Sequence, residues 1–341
     1  MKSVSKILVT GGAGFIGAHT VAELIDAGYH PIIVDDLSTS DRTLLNGLKD
    51  LFEKEITFYH GDCGDNQVLN SIFEKEKNIS AVMHFAAFKS VGESVQEPLK
   101  YYRNNINSLL SVLESMKRHG VEQLIFSSSC TVYGQPDQIP VNEQAPFKKA
   151  ESPYGATKQM CERILEDTYK GGFKIISLRY FNPVGAHPSG KIGELPVGIP
   201  NNLVPYVTQT AAGIREKITV FGNDYPTSDG TCVRDYIHVS DVALAHVQAL
   251  NYLQGATAPY FEPFNLGTGV GVSVLELLHS FEKANNLKLN VQIGPRRPGD
   301  VIQVYADPSR IQQAMNWKAK YSLEEAMRHA WDWQKKIGAS K

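Results

Sequence analysis

Short apolar runs recur along the first half of the chain, each followed by a stretch with helical spacing. Ile7-Leu8-Val9 leads into a glycine turn, after which Phe15, Ile16, Val21, Ala22, Leu24 and Ile25 recur at helical intervals. Ile32-Ile33-Val34 comes next and ends in Asp35. Further runs lie at residues 56–59, 81–85, 124–126 and 175–178, with helical stretches at 101–116 and 154–169. Runs without polar alternation suit strands buried on both faces, as in parallel sheets covered by crossover helices. The pattern predicts an α/β fold built on a doubly wound parallel sheet.

After Phe181 the texture changes. Residues 183–205 are rich in Pro, Gly and Asn and show few periodic runs, which in a compact protein usually marks a functional segment. Strand-like and helical pieces resume at 219–221, 239–253, 264–266 and 274–284. The expected division is a first domain over residues 1–181 and a smaller α/β substrate domain over 182–341, parts of which fold back on the first.

Composition narrows the function classes. Of 341 residues, 42% are hydrophobic and 21% charged, as in soluble globular proteins. A net charge of −2 argues against nucleic acid or a membrane surface as partner. No apolar run reaches the roughly 18 residues of a membrane span, and the first residues lack the pattern of a signal peptide. Cys63, Cys130, Cys161 and Cys232 show no metal-ligand spacing, so we expect no metal and four reduced thiols in a cytoplasmic protein.

Thr10-Gly11-Gly12-Ala13-Gly14-Phe15-Ile16-Gly17 joins the first strand to the first helix and satisfies G-x-G-x-x-G. Such glycines allow a tight turn and a close backbone approach to a pyrophosphate, which the free N–H groups of the helix start then face. The acid expected about 20 residues on is Asp35, followed by Asp36. A carboxylate there hydrogen-bonds an adenosine ribose and repels a 2′-phosphate, so NAD is favoured over NADP and the sheet is of Rossmann type. Asp62 and Cys63 end the third strand, with Asp62 a candidate for the adenine amino group. Phe85, Ala86 and Lys89 follow the fourth, where small residues admit the pyrophosphate and Lys89 reaches toward a ribose.

Ser152-Pro153-Tyr154-Gly155-Ala156-Thr157-Lys158 reads as a helix start, with Ser152 as N-cap and Pro153 in the first turn. Tyr154 and Lys158 share a helical face. Lowering a phenol by about three pH units takes about 4 kcal/mol, which an ammonium about 4 Å away supplies at an effective dielectric near 20. A bound nicotinamide cation adds to it, and the expectation is a tyrosinate base. Ser129, at the end of the 124–126 strand run, is the candidate to pass the proton.

Together these motifs resemble the extended short-chain dehydrogenase/reductase family, and within it the UDP-hexose 4-epimerases. The blocks Lys89-Ser90-Val91-Gly92-Glu93-Ser94, Arg179-Tyr180-Phe181-Asn182-Pro183-Val184-Gly185-Ala186, Ile199-Pro200-Asn201-Asn202-Leu203 and Val233-Arg234-Asp235-Tyr236-Ile237-His238-Val239 carry that resemblance. It implies Tyr154 as base, Lys158 as its partner and nicotinamide-ribose contact, and Ser129 as bridge to the sugar O4. It implies Asn104 and Phe181 beside the cofactor or sugar, and Lys89, Asn182, Asn202, Leu203 and Phe221 at the substrate. Arg234 and Arg297 would neutralise the diphosphate, and Asp300 would meet the uridine ribose. Asp36 departs from the family, where many members have Asn. The implied reaction is reversible C4 epimerisation of UDP-glucose and UDP-galactose through a 4-keto sugar with bound NAD, in a homodimer. Val304 falls at a gatekeeper position, where a small side chain implies room for N-acetylated UDP-sugars. The rivals are a sugar-nucleotide 4,6-dehydratase, a net dehydrogenase and a non-catalytic nucleotide-binding protein. Thr131 is followed by Val132-Tyr133-Gly134, without the carboxylates that a dehydratase carries there.

Overall fold

The computed structural model describes residues 4–297 and 300–339. Its centre is a seven-stranded parallel sheet. In chain order the first six strands are β1 (Lys6–Thr10), β2 (His30–Asp35), β3 (Thr57–His60), β4 (Ile79–His84), β5 (Gln123–Ser129) and β6 (Lys174–Tyr180). The seventh is Tyr260–Leu266, and the spatial order runs from it through β6, β5, β4, β1 and β2 to β3. The chain therefore winds outward in both directions from the junction of β1 and β4. At that junction the connections leave on opposite faces and a crevice opens beyond the strand ends.

Burial explains why the strands read as unbroken apolar runs. Ile7, Leu8, Val9, Ile32, Ile33 and Val34 have no exposed surface. Their side chains divide between two cores, one on each face of the sheet. Ile7, Val9 and Ile33 join the core that holds Val21, Val242 and Leu250, while Leu8, Ile32 and Val34 join the core that holds Leu109, Val112 and Leu165. Helix α1 (Phe15–Asp26) and the Val239–Gly255 helix cover the first face. The Pro98–Arg118 and Pro153–Thr168 helices pack together over the second.

The Val239–Gly255 helix and the Tyr260–Leu266 strand come from the second half of the chain yet complete the central sheet and its cover. The remainder of that half builds a third core, from Val207, Ile218, Leu277, Leu278, Phe281 and Met327. Its sheets are small: Val272–Ser273, Val233–Arg234 and Gln303–Val304 form one, and Val291–Gly294 pairs with Ile218–Phe221 in another. The Pro- and Gly-rich segment after Phe181 starts with a short strand, Asn182–Val184, paired with Tyr236–His238. No further helix or strand forms in it until the Leu203–Ala211 helix.

Candidate active site

The glycine turn sits where β1 meets α1. Gly11 has φ +69°, and a Cβ there would lie 2.7 Å from the Ala86 nitrogen. A Cβ on Gly17 would lie 2.3 Å from the Gly11 carbonyl oxygen. Side chains are thus excluded by the backbone itself. No side chain caps the start of α1, so its first N–H groups are left for a ligand. Gly11, Gly14, Phe15, Ile16 and Gly17 line one long cleft with Asp35, Asp36, Asp62, Cys63, Phe85, Ala86, Lys89 and Asn104.

Asp35 is put to a further use that the sequence reading lacked. One oxygen accepts from the Ala13 N–H at 3.0 Å, and the other from the Leu37 N–H at 2.9 Å and the Ser40 hydroxyl at 3.0 Å. The carboxylate fastens the glycine turn to the end of β2. An ionised carboxylate has about four acceptor positions, so about one remains for a ribose. Asp36 holds the Ser38 N–H and hydroxyl, and Asp62 holds the Gly64 N–H.

Tyr154 and Lys158 line the opposite end of the same cleft. Their helix starts as its sequence dictates: the Ser152 hydroxyl accepts from the Gly155 N–H at 3.2 Å, with Pro153 in the first turn. The Ser129 hydroxyl hydrogen-bonds the Tyr154 phenol and also accepts from the Thr131 N–H at 3.2 Å. The protein's own groups work against the expected tyrosinate. Burial pushes the phenol up to about 12, with only the Ser129 hydrogen bond opposing it. Burial likewise draws Lys158 down to about 8. The reason is where the ammonium points. It donates to the Ser127 carbonyl at 2.6 Å and lies 4.9 Å from the Phe126 ring centre and 6.0 Å from that of Tyr154. It therefore sits under the aromatic rings rather than against the phenol oxygen.

A second cluster gathers Phe221, Arg234, Arg297 and Asp300. Asp300 accepts from Arg297 Nη2 at 2.7 Å and has Arg234 Nη2 at 3.9 Å, while the Arg297 guanidinium stacks 5.5 Å from the Phe221 ring centre. Two cations against one carboxylate leave a net positive charge, which suits a diphosphate. Pro298 and Gly299 of this block lie outside the described residues. Asn202 lines the cleft and Leu203 opens the next helix. Asn182 starts the short strand, its N–H donating to the Asp235 carbonyl at 2.9 Å. Val304 pairs in register with Arg234 and packs with Phe181, Tyr133 and Val132; neither Val304 nor Phe181 is part of the cleft lining.

Known proteins resemble this chain along nearly its whole length. A family model described as GDP-mannose 4,6 dehydratase matches residues 8–330. The UDP-glucose 4-epimerase of Bacillus subtilis (strain 168) is 49% identical over 330 residues, covering 96% of each chain. The UDP-glucose-4-epimerase of Stenotrophomonas maltophila, crystallised with NAD and formylated UDP-arabinopyranose, superposes with a TM-score of 0.95 at 44% identity, covering 99% of this chain and 100% of that one. The Bifidobacterium longum enzyme, in complex with NAD+ and UDP, gives 0.94 at 43% identity with the same coverage. The chain belongs to the UDP-glucose 4-epimerase family.

Three features of this 4-epimerase cleft escaped the sequence reading. Tyr180 lines it from the end of β6, its hydroxyl 2.6 Å from His246 Nε2. Glu194 also lines it, reaching Lys89 at 3.2 Å and accepting from Asn202 Nδ2 at 2.6 Å. It couples two of the predicted substrate contacts across the irregular segment. Ser127 supplies the carbonyl that fixes Lys158. Tyr180 had a signal, being a polar residue at the carboxyl end of a predicted strand. Glu194, in a stretch without periodicity, had none.

Proposed function

We propose that this protein interconverts UDP-glucose and UDP-galactose at C4, using bound NAD and a 4-keto sugar intermediate. One observation carries the reading: a single cleft is lined both by the open start of α1 and by Tyr154 and Lys158, with Ser129 hydrogen-bonded to the Tyr154 phenol. Fit to the cofactor is supported by the backbone-lined turn, which a Cβ at Gly11 or Gly17 would fill. When bound, NAD+ supplies a hydride acceptor that later returns the hydride to the sugar.

The residues of the chain do the rest. Ser129 bridges the sugar O4 to Tyr154, which takes the O4 proton and later gives it back. Lys158 supplies the positive charge nearest the phenol. Arg234 and Arg297 grip the diphosphate, so the 4-keto sugar turns over in place without leaving. Asp300 orients Arg297 and accepts from the uridine ribose. Because hydride returns to the same molecule, NAD is not consumed and stays bound through turnover. In this reading residues 1–181 carry NAD and residues 182–341 carry the UDP-sugar. Galactose metabolism in the cytoplasm is the setting that this chemistry suits.

Val304 is the basis for extending the substrates to UDP-N-acetylglucosamine and UDP-N-acetylgalactosamine. A valine leaves room on the order of an acetyl group that a tyrosine would fill, and a purely steric wall rejects only while it stands. A homodimer is supported by Leu99, Leu110 and Met160, apolar side chains exposed on the helices over the second face, and by Val91 and Val95 on the neighbouring Val91–Gln96 helix. Light scattering at micromolar concentration should give twice the chain mass; a monomer mass contradicts this.

A 4,6-dehydratase is disfavoured because Val132 and Tyr133, which follow Thr131, are fully buried in an apolar cluster. The deciding experiment incubates purified protein with UDP-galactose, without added cofactor, and identifies the product. UDP-glucose is expected. A 4-keto-6-deoxy sugar would establish the dehydratase, net NADH formation a dehydrogenase, and no turnover a binding protein.

A further inference from the structure

The helix that carries Tyr154 and Lys158 places a third polar side chain on the same face. Tyr154, Lys158 and Glu162 are spaced by four residues and stack along one side. Glu162 is 3% exposed and takes no part in the chemistry described above. Its carboxylate accepts from the Ser128 hydroxyl at 2.5 Å, from Arg179 Nε at 2.9 Å and from Arg179 Nη2 at 2.6 Å. Arg179 Nη1 donates to the Tyr133 hydroxyl at 2.8 Å, and that hydroxyl donates to Asn265 Oδ1 at 2.6 Å. The guanidinium lies 5.1 Å from the Tyr133 ring centre and 5.0 Å from that of Phe147.

Every partner comes from a different element that ends at the site. Ser128 precedes Ser129 on β5, and Arg179 precedes Tyr180 on β6. Asn265 lies on the seventh strand and Tyr133 on the short turn after Ser129. A buried ion pair is weak evidence for stability, because desolvation offsets the attraction and apolar side chains of similar volume hold elements together as well. The charge at this place calls for another reason, and Lys158 provides it. The groups facing its ammonium are Tyr154, Cys161 and Glu162 on its own helix, His84 on β4, and the Ser127 carbonyl and Phe126 ring on β5. Tyr180 on β6 faces Tyr154. Glu162 is the carboxylate among them.

We propose that Glu162, anchored by Arg179 and Ser128, is a positioning residue that keeps Lys158 cationic and in register with Ser129 at the Tyr154 phenol. The proposal rests on the reading of Ser129, Tyr154 and Lys158 as the proton-transfer group. Burial disfavours the ammonium; Cys161 and then Glu162 are the neighbours that oppose that effect, and Glu162 is the carboxylate of the two. Arg179 holds the carboxylate from β6 and, as its counter-charge, offsets part of its field on Lys158.

The test is the pH dependence of kcat for UDP-galactose, measured on holoenzyme. Glu162→Gln should move the alkaline limb down by about one pH unit, the usual size for losing one close opposite charge. Glu162→Asp keeps the charge and should restore the limb while kcat stays below wild type. The double variant Glu162→Gln/Arg179→Gln leaves no unpaired buried charge, so it stays informative should Glu162→Gln fail to fold. Its limb should also lie below wild type. A purely structural clamp lowers kcat or Tm in these variants without moving the limb, and that outcome overturns the proposal. Tyr154→Phe runs alongside. Activity in Tyr154→Phe refutes the reading of the site itself, whereas an inactive Tyr154→Phe with unmoved limbs refutes only the role of Glu162.

Discussion

Unfolding this protein at pH 5.5 should take up about three protons per chain, a number that follows from four buried histidines. His19, His84, His238 and His246 are at most 2% exposed. Burial lowers them from the ordinary 6.5 to about 3, 3, 2 and 4, respectively. Their hydrogen bonds suit neutral rings. His246 bonds the Val242 carbonyl through Nδ1 and the Tyr180 hydroxyl through Nε2. His238 Nδ1 accepts from the Ser240 N–H, and its Nε2 meets His329 at 3.0 Å. His84 Nδ1 lies 2.7 Å from the Thr10 hydroxyl, with the Lys158 charge adding to the depression. In the unfolded chain each ring is about nine-tenths protonated at pH 5.5.

Glu23 works in the opposite direction. Burial first, then the Asp26 charge, raises it to about 7, so the folded protein holds a proton there that the unfolded chain releases. From these five groups the uptake is therefore about three. The histidine contribution to stability is fully present above pH 6.5 and is lost as pH falls toward the folded values. Each proton corresponds to about 1.4 kcal/mol per pH unit, so stability should fall by about 4 kcal/mol per unit near pH 5.5. That is a large share of a typical total of about 5–15 kcal/mol. The assay is proton uptake on urea unfolding in weakly buffered solution, with urea midpoints from pH 7 to 5. His19→Leu should reduce the uptake by about one proton. Uptake below one proton in the wild type, or a midpoint unchanged between pH 7 and 5.5, refutes the reasoning.

Other expectations follow from the cleft. Tyr154→Phe should lower kcat by about 10²- to 10⁴-fold, the usual weight of a general base, while the protein keeps its NAD; near-wild-type turnover rules out the role. Arg297→Ala removes a charge-assisted grip of about 1.5–3 kcal/mol, so KM for UDP-galactose should rise about 10- to 100-fold, and an unchanged KM would remove Arg297 from the substrate. The wild type should epimerise UDP-N-acetylgalactosamine, and Val304→Tyr should abolish that activity while sparing UDP-galactose. Because Val304 packs with Phe181 and Tyr133, the tyrosine could also strain the core, so equal Tm values are the control.

What the sequence made legible was whatever depends on neighbours along the chain. Tyr154 and Lys158 meet because four residues make one helical turn, and the turn at Gly11 is dictated by glycine spacing. The parallel strands were readable because burial on both faces removes polar alternation. The groups that tune the site are assembled across the sheet. Glu162 meets Arg179 17 residues on, and Tyr180 meets His246 66 residues on. Glu194 meets Lys89 across 105 residues. No local periodicity records such meetings. How Lys158 is aimed at the Tyr154 phenol is illegible for a related reason: spacing puts Lys158 on the right face but does not say which carbonyl its ammonium will choose.

The choice of the Ser127 carbonyl bears on when the cleft can act. Burial drives Tyr154 up to about 12 and Lys158 down to about 8, so near pH 7 the phenol is neutral and takes protons poorly while Lys158 keeps most of its charge. Bringing the phenol back near 7 requires about 7 kcal/mol of added stabilisation for the anion, at about 1.4 kcal/mol per pH unit. One cation within 4–6 Å shifts a neighbour by about one to three units, so Lys158 alone falls short even if it swings to the phenol oxygen. A second positive charge must converge there, and in the proposed function the oxidised nicotinamide site provides it. The Ser129 hydrogen bond acts in the right direction but is smaller. Tyr154 is then a strong base only in the loaded cleft, the one state in which taking a proton from a sugar hydroxyl leads anywhere. Loss of the cofactor then also costs base strength, because a charge that lowers the phenol leaves with it.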